Sequence, residues 1–259
     1  MKRIVVAMTG FAGTGKDTVA DLLVEHLGFR KLAFADSLRA EVSNGFNVEL
    51  SYLTHPSTKG HPMSALAMRR APIGFLAAVA LATNSVPRDG DGQVSAEWLD
   101  QPRSPRQILQ WWGTEYRRRQ HEHYWSRQLM QRVLDDMRDG AHRFVITDCR
   151  FKNEADTVRA LDGKIWQIKR PGIDDATTSE GSHVSATDGR EFAPDLVINN
   201  CYDIRHLQQL VLGEFLSLES GIAGTTVTVP ALDLLEPECV GHAIPAEVND
   251  GAQAQGRRS

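Results

Sequence analysis

Gly10, Gly13, Gly15 and Lys16 stand in the spacing GxxxxGK, and those residue types in that order suit one task, the holding of a chain of phosphates. Glycines permit backbone angles and a closeness of approach that side chains block, so successive N–H groups, Thr14's among them, can converge on phosphate oxygens. A helix opening at Lys16 adds the positive end of its dipole. The Lys16 ammonium would neutralise the outer phosphates, and losing that charge should harm transfer more than docking. The hydroxyl residue that usually follows the lysine is replaced by Asp17, with Thr18 next. Either Asp17 meets Mg2+ directly or through water, or Thr18 takes another phosphate contact. Asp17 also reads as a plain helix N-terminal charge.

A second group of residues could serve a second substrate. Residues 144–148 read as an apolar strand ending in Asp148, which places a carboxylate at the carboxyl edge of a parallel sheet near a bound Mg2+. Asp148 could instead cap the turn that follows it. Arg150 would face the same mouth. Arg106, Gln110, Thr114 and Arg117 recur at spacings of four, four and three, so they share one helical face unless Gly113 breaks the helix. Such a face can grip a phosphate and a base edge together. Trp111 and Trp112 either wall that pocket or fill the core. The run Arg117, Arg118 and Arg119 reads as a solvated face from which one arginine could reach a phosphate.

These residues need a scaffold, and the hydrophobic pattern supplies one. Residues 4–9 form an apolar run before the glycine turn. Residues 17–27 carry Val19, Leu22, Leu23 and Leu27 on one side, and Gly28 ends that helix. A short unit at 31–35 leads into a helix expected to begin near Leu38 and to be interrupted at Asn44 and Gly45. Residues 51–102 are rich in proline and irregular, with one helix at 75–82, and read as an insertion or substrate-side flap. Ser104 and Pro105 open a long helical region reaching about residue 137. Strands at 144–147, 165–168 and 196–198 alternate with helices at 153–161 and 204–218, implying an open parallel sheet. Residues 1–220 therefore read as one domain, 172–190 as a closing lid, and 221–259 as a loosely attached tail.

Composition excludes several classes. The 259 residues are 41% hydrophobic and 24% charged, ordinary globular values. The net charge of -4 argues against a protein that coats nucleic acid. Three scattered cysteines form no CxxC pair, so neither a zinc site nor a disulfide framework is indicated, and a reducing cytoplasm fits best. No apolar run approaches the length of a membrane span.

Four separated motifs, GxxGTGKDT, PRQILQWWGTEYRR, ITDCRFKNEAD and HVSATDGREFAPDLVINN, together resemble the phage deoxynucleoside monophosphate kinase family. The resemblance spans roughly residues 1–215, with 51–102 matched poorly. It implies an α/β fold, the three-layer P-loop kinase fold with an open, mainly parallel sheet and an inserted acceptor-side and lid region. It implies transfer of the γ-phosphoryl group of ATP, with Mg2+, to a small-molecule nucleotide acceptor in a cytoplasm, that of the host if the source is viral. Lys16 and the glycines match the family's cradle, and Arg150 a basic residue near the transferring phosphate. Asp36 and Arg39 match the place where the acceptor is held, unless they merely cap a helix. His183 matches an acceptor contact, and Asn200 the place of the adenine, although an Asn pair after a strand is also an ordinary turn. A homodimer is compatible with all of this.

Three rivals share the cradle. A kinase of hydroxymethylated pyrimidine within DNA would need an open basic groove with DNA as partner. A dephospho-coenzyme A kinase would lack the long middle motif. A nucleotide-binding regulator would turn over ATP without an acceptor.

Overall fold

The computed structural model describes residues 3–83, 86–173 and 192–220. In chain order the helices are α1 (Lys16–Leu27), α2 (Phe34–Phe46), α3 (Leu50–Thr54), α4 (Pro56–Lys59), α5 (Ile73–Ala82), α6 (Ala96–Asp100), α7 (Pro105–Gln110), a π-helical segment (Trp111–Arg118), α8 (Tyr124–Arg138), α9 (Lys152–Ala160) and α10 (Ile204–Ser220). The strands are β1 (Ile4–Thr9), β2 (Arg30–Leu32), β3 (Arg143–Ile146), β4 (Lys164–Lys169) and β5 (Leu196–Asn199).

β1 is buried along its whole length, as the middle strand of a parallel sheet covered on both faces must be. The strands lie in the order β2-β3-β1-β4-β5, and every pairing is parallel. Their side chains alternate between two cores. Ile4, Val6, Met8, Val145, Trp166 and Ile168 pack with residues of α1 and α10. Val5, Ala7, Phe144, Ile146 and Ile165 pack with residues of α8 and α9. The chain is thus a three-layer α/β fold with an open parallel sheet, and all five strands present their carboxyl ends to one edge.

Two expectations about helices are corrected. α2 begins at Phe34 rather than near Leu38, and it runs unbroken through Asn44 and Gly45. Gly45 is a packing site: a Cβ there would lie 2.5 Å from Cη2 of Trp112. Gly113 does not break the middle helix either. Ser104 caps α7, its hydroxyl accepting from the Gln107 N–H at 3.2 Å, and the helix then widens into the π-helical segment. Gly113 lets α2 approach, since its Cβ would stand 3.3 Å from Leu38. The real interruption comes after Gln120, before α8 opens.

Residues 51–102 do not stand apart from the rest. Leu53, Leu66, Met68, Phe75 and Val79 share a third core with Val42 and Phe46 of α2, Ile108 and Leu109 of α7, Trp112 and Trp125. The segment is thereby locked onto the helices that carry the candidate acceptor residues. His183, nearly all of the expected lid at 172–190, and the tail at 221–259 lie outside the described residues.

Candidate active site

The glycine turn leaves β1 and crosses the end of β4. Gly10 has φ +131°, and a Cβ on it would lie 2.4 Å from the Ile168 carbonyl oxygen. Gly13 and Gly15 also take positive φ, +85° and +103°. A Cβ on Gly15 would meet Nδ2 of Asn200 at 2.6 Å. Only glycine fits these positions, and the loop they form keeps its backbone bare and leads straight into the N-terminus of α1. Thr14 is fully buried, and its hydroxyl donates to the Phe11 carbonyl at 3.0 Å. The Lys16 ammonium donates to the carbonyls of Gly10 and Phe11, so it folds across the loop. The residues fit a phosphate chain.

Asn200 braces this loop. Its Nδ2 donates to the Thr14 carbonyl at 2.9 Å, and its backbone N–H donates to the Lys169 carbonyl at 2.7 Å. The amide thus ties the end of β5 to the turn. Asp17 and Thr18 are exposed on the first turn of α1. The Asp17 carboxylate stands 3.5 Å from Lys31 of β2, whose ammonium also reaches Asp21 at 2.8 Å.

The neighbouring strand end supplies the second half of the site. The Cys149 N–H donates to the Met8 carbonyl at 3.0 Å, and the Thr147 N–H to the Leu32 carbonyl at 3.0 Å. Residues 147–149 therefore lie across the ends of β1 and β2, directly beside the cradle. The Asp148 carboxylate accepts from the N–H groups of Phe34 at 2.7 Å and Ala35 at 3.0 Å. It is a cap, but for the N-terminus of α2 rather than for the turn that follows it. Burial pushes the Asp148 carboxyl above the ordinary range, against the pull of Arg150, the two N–H groups and Arg39.

Asp36 completes the same cap. Its carboxylate accepts from the Ala33 N–H at 2.9 Å and from Nη1 of Arg39 at 3.0 Å. Asp36, Arg39, Asp148 and Arg150 are thus brought together around the start of α2.

The middle motif is divided. Arg106 lies in the first turn of α7, and Gln110 and Thr114 are half-buried further along. The widening of the helix ends the regular spacing before Arg117 is reached. Nε of Arg117 donates to Glu41 at 2.7 Å, and its guanidinium lies between the rings of Tyr116 and Tyr124. Glu41 also accepts from Nε1 of Trp112 at 2.8 Å and from the Tyr124 hydroxyl. Trp112 is in the third core, while Trp111 stacks on Trp98.

Two parts of the site escaped the sequence reading. Arg118, read there as part of a charge run, pairs with Glu154, which is 2% exposed and also accepts from the N–H groups of Arg150 at 2.8 Å and Phe151 at 3.1 Å. Lys59, at the end of α4, stands in the field of Arg39, Arg106 and Arg150 as well as Asp148. Burial, reinforced by those three guanidiniums, holds its ammonium below the ordinary lysine range. Glu154 closes the N-terminus of α9, but it follows Phe151 rather than a Ser or Thr N-cap, so no capping-box pattern marked it in the sequence; nothing local marks Lys59 either.

A glycine cradle closed by a lysine, at the carboxyl edge of a parallel sheet and beside a cluster of arginines, defines a phosphotransferase of the P-loop class. Residues 91–211 match the family model described as deoxynucleotide monophosphate kinase. A protein of Acanthamoeba polyphaga mimivirus, described as "Putative deoxynucleotide monophosphate kinase", is 26% identical over 229 residues, covering 83% of this chain and 93% of that one. Over these residues the chain is similar to deoxynucleotide monophosphate kinases, and both likenesses are to kinases. The family match begins after the cradle, so cradle and match are separate observations. Among solved structures, dephospho-CoA kinase from Campylobacter jejuni is 13% identical with a TM-score of 0.41, covering 85% of this chain and 99% of that one. A sugar kinase from Janibacter sp. HTCC2649 is 14% identical with a TM-score of 0.39, covering 87% and 100%. Likeness at that level carries no further argument. No helix among the described residues is long and apolar enough to cross a membrane.

Proposed function

We propose that the protein transfers the γ-phosphoryl group of Mg-ATP to the phosphate of a deoxynucleoside monophosphate. The observation that carries this reading is the hydrogen bond from Cys149 N–H to the Met8 carbonyl. It sets the segment bearing Asp148 and Arg150 against the strand that feeds the cradle, so donor and acceptor phosphates would meet at one edge.

In this reading the N–H groups of residues 13–18 and the Lys16 ammonium hold the β- and γ-phosphates. Arg39 and Arg106 hold the acceptor's phosphate, and Arg150 faces the phosphoryl group in flight. An acceptor phosphate oxygen attacks the γ-phosphorus while the bond to the bridging oxygen of ADP breaks, so no covalent enzyme intermediate forms and catalysis is positioning and charge neutralisation. Mg2+, when bound, would neutralise the β- and γ-oxygens. Asp148 is the carboxylate placed to orient water around it, whereas Asp17 is turned to Lys31. Asn200 serves as the brace of the cradle, and any contact with adenine is additional to that. Residues 51–102 form the outer wall of the acceptor side within a kinase domain of residues 1–220.

The test is ADP formation with each deoxynucleoside monophosphate over a Mg2+ titration. Acceptor-dependent turnover that requires the metal supports the reading, and ATP consumption indifferent to every acceptor contradicts it.

A further inference from the structure

The backbone places Lys59 beside the acceptor arginines by a series of fixed points. α4 is one turn, pinned at its start by His55, whose Nδ1 accepts from the Ser57 N–H at 3.3 Å. The Thr58 hydroxyl fastens it to the Tyr52 carbonyl at 2.9 Å, in the middle of α3. Four residues beyond Lys59, Met63 forms an antiparallel bridge with Arg103, its N–H donating to the Arg103 carbonyl at 2.9 Å. Arg103 lies two residues before Pro105 opens α7, whose second residue is Arg106. α4 packs on α7, and α7 packs on α2, which carries Arg39. The N-terminus of α2 in turn holds Asp148, two residues before Arg150.

Lys59 therefore stands among Arg39, Arg106 and Arg150, which come from three other parts of the chain, with two carboxylates beside them: Asp148, which already accepts two backbone N–H groups, and Asp36, which pairs with Arg39. Lys59 and Arg39 are half-buried and Arg106 and Arg150 exposed, and like charges gathered in this way repel one another unless an anion joins them. Burial first, and then the repulsion of the three guanidiniums, lowers the affinity of Lys59 for its proton.

We infer that Lys59 is a further binding residue for the acceptor, donating to the dianionic phosphate of the deoxynucleoside monophosphate alongside Arg39 and Arg106. The inference rests on the acceptor reading given above and adds to it a residue from the proline-rich segment, which becomes part of the binding wall. The ligand class is a terminal phosphate monoester, whose two charges offer more to a group of four cations than the single charge of a diester.

Binding of the four deoxynucleoside monophosphates and of ATP, measured by calorimetry on the full chain for wild type, Lys59→Met, Lys59→Arg and Arg106→Ala, tests this. A charge-assisted phosphate contact gives about a tenfold to hundredfold weakening when removed. Lys59→Met should weaken the preferred monophosphate by that amount and leave ATP affinity and Tm unchanged, while Lys59→Arg should recover most of the loss. Loss in Arg106→Ala without loss in Lys59→Met overturns the inference and leaves the acceptor reading standing. Equal weakening of monophosphate and ATP in Lys59→Met also overturns it, because the lysine would then act through the fold. Absence of monophosphate binding by the wild type overturns the acceptor reading and the role of Lys59 with it.

Discussion

Arg118 and Glu154 form a buried ion pair whose second carboxylate oxygen accepts the backbone N–H groups of Arg150 and Phe151. The Arg118 guanidinium also covers the Phe151 ring at 3.8 Å. The π-helical segment of the middle motif is thereby fastened to the loop that presents Arg150 beside the cradle. Removal of Arg118 would leave a carboxylate buried and unpaired.

Arg118→Ala should therefore lower stability by about 3–5 kcal/mol, the usual cost of breaking a buried pair from one side. Burial already raises the Glu154 carboxyl, and Arg118 opposes the rise. Without Arg118 the folded-state value climbs further above the unfolded one. The penalty is then fully present above the folded value and fades as pH falls through it. Urea unfolding at neutral and mildly acid pH should show the deficit against wild type shrinking toward acid, and an unchanged deficit would count against the pair.

Gly10→Ala should disrupt the cradle, since a Cβ would meet the Ile168 carbonyl at 2.4 Å in a backbone conformation at φ +131°. A strain of roughly 1–3 kcal/mol is expected, read as about a tenfold or greater loss of nucleotide affinity. Gly213→Ala is the contrast: its Cβ would meet nothing within 4 Å inside α10. That change should raise stability by about 0.5–1 kcal/mol. Thermal unfolding and nucleotide titration of both variants check the pair of outcomes.

Arg106→Ala and Arg117→Ala should separate. Arg106 stands with the acceptor cluster, so its loss should raise the acceptor KM by about tenfold to a hundredfold with the ATP KM unmoved. Arg117 is held by Glu41 and two tyrosine rings, so its loss should appear in Tm with little change in acceptor KM. Equal effects on acceptor KM would restore the shared face that the spacing suggested.

Cys149 should resist alkylation. Its thiol is fully buried, and burial together with Glu154 and Asp148 raises it far above the ordinary cysteine value. The thiolate, which is the reactive form, is therefore absent at mildly alkaline pH. Peptide mapping after iodoacetamide treatment of the folded protein should find Cys149 unmodified until denaturant is added. Rapid labelling in the native state would contradict the packing of residues 147–149 against β1.

The parts legible in the sequence are those with local causes. β1, the cradle and α1 follow from an apolar run, glycine spacing and a three- and four-residue repeat, all within 25 residues of one another. Strands β3 to β5 were found within a residue or two for the same reason. The start of α2 was missed because half of its cap, Asp148, comes from more than a hundred residues away, and the local half, Asp36, sits at the third helical position rather than ahead of the helix. The spacing argument for one face carrying Arg106 and Arg117 assumes a regular α-helix, whereas the helix widens at Trp111. Lys59 has no periodic or motif context, and only the folding of α4 onto α7 gives it a place. The glycines at 45 and 113 read as breaks, yet each is small because another helix passes close by.

The most direct measurement is the fate of the label when [γ-32P]ATP is incubated with wild type and with Lys16→Ala against deoxynucleoside monophosphates, dephospho-coenzyme A and hydroxymethylated DNA. Radiolabelled deoxynucleoside diphosphate from the wild type, and its absence from a folded Lys16→Ala protein, is the expected result. Label on DNA or on the coenzyme A precursor, or undiminished transfer by Lys16→Ala, would contradict the account.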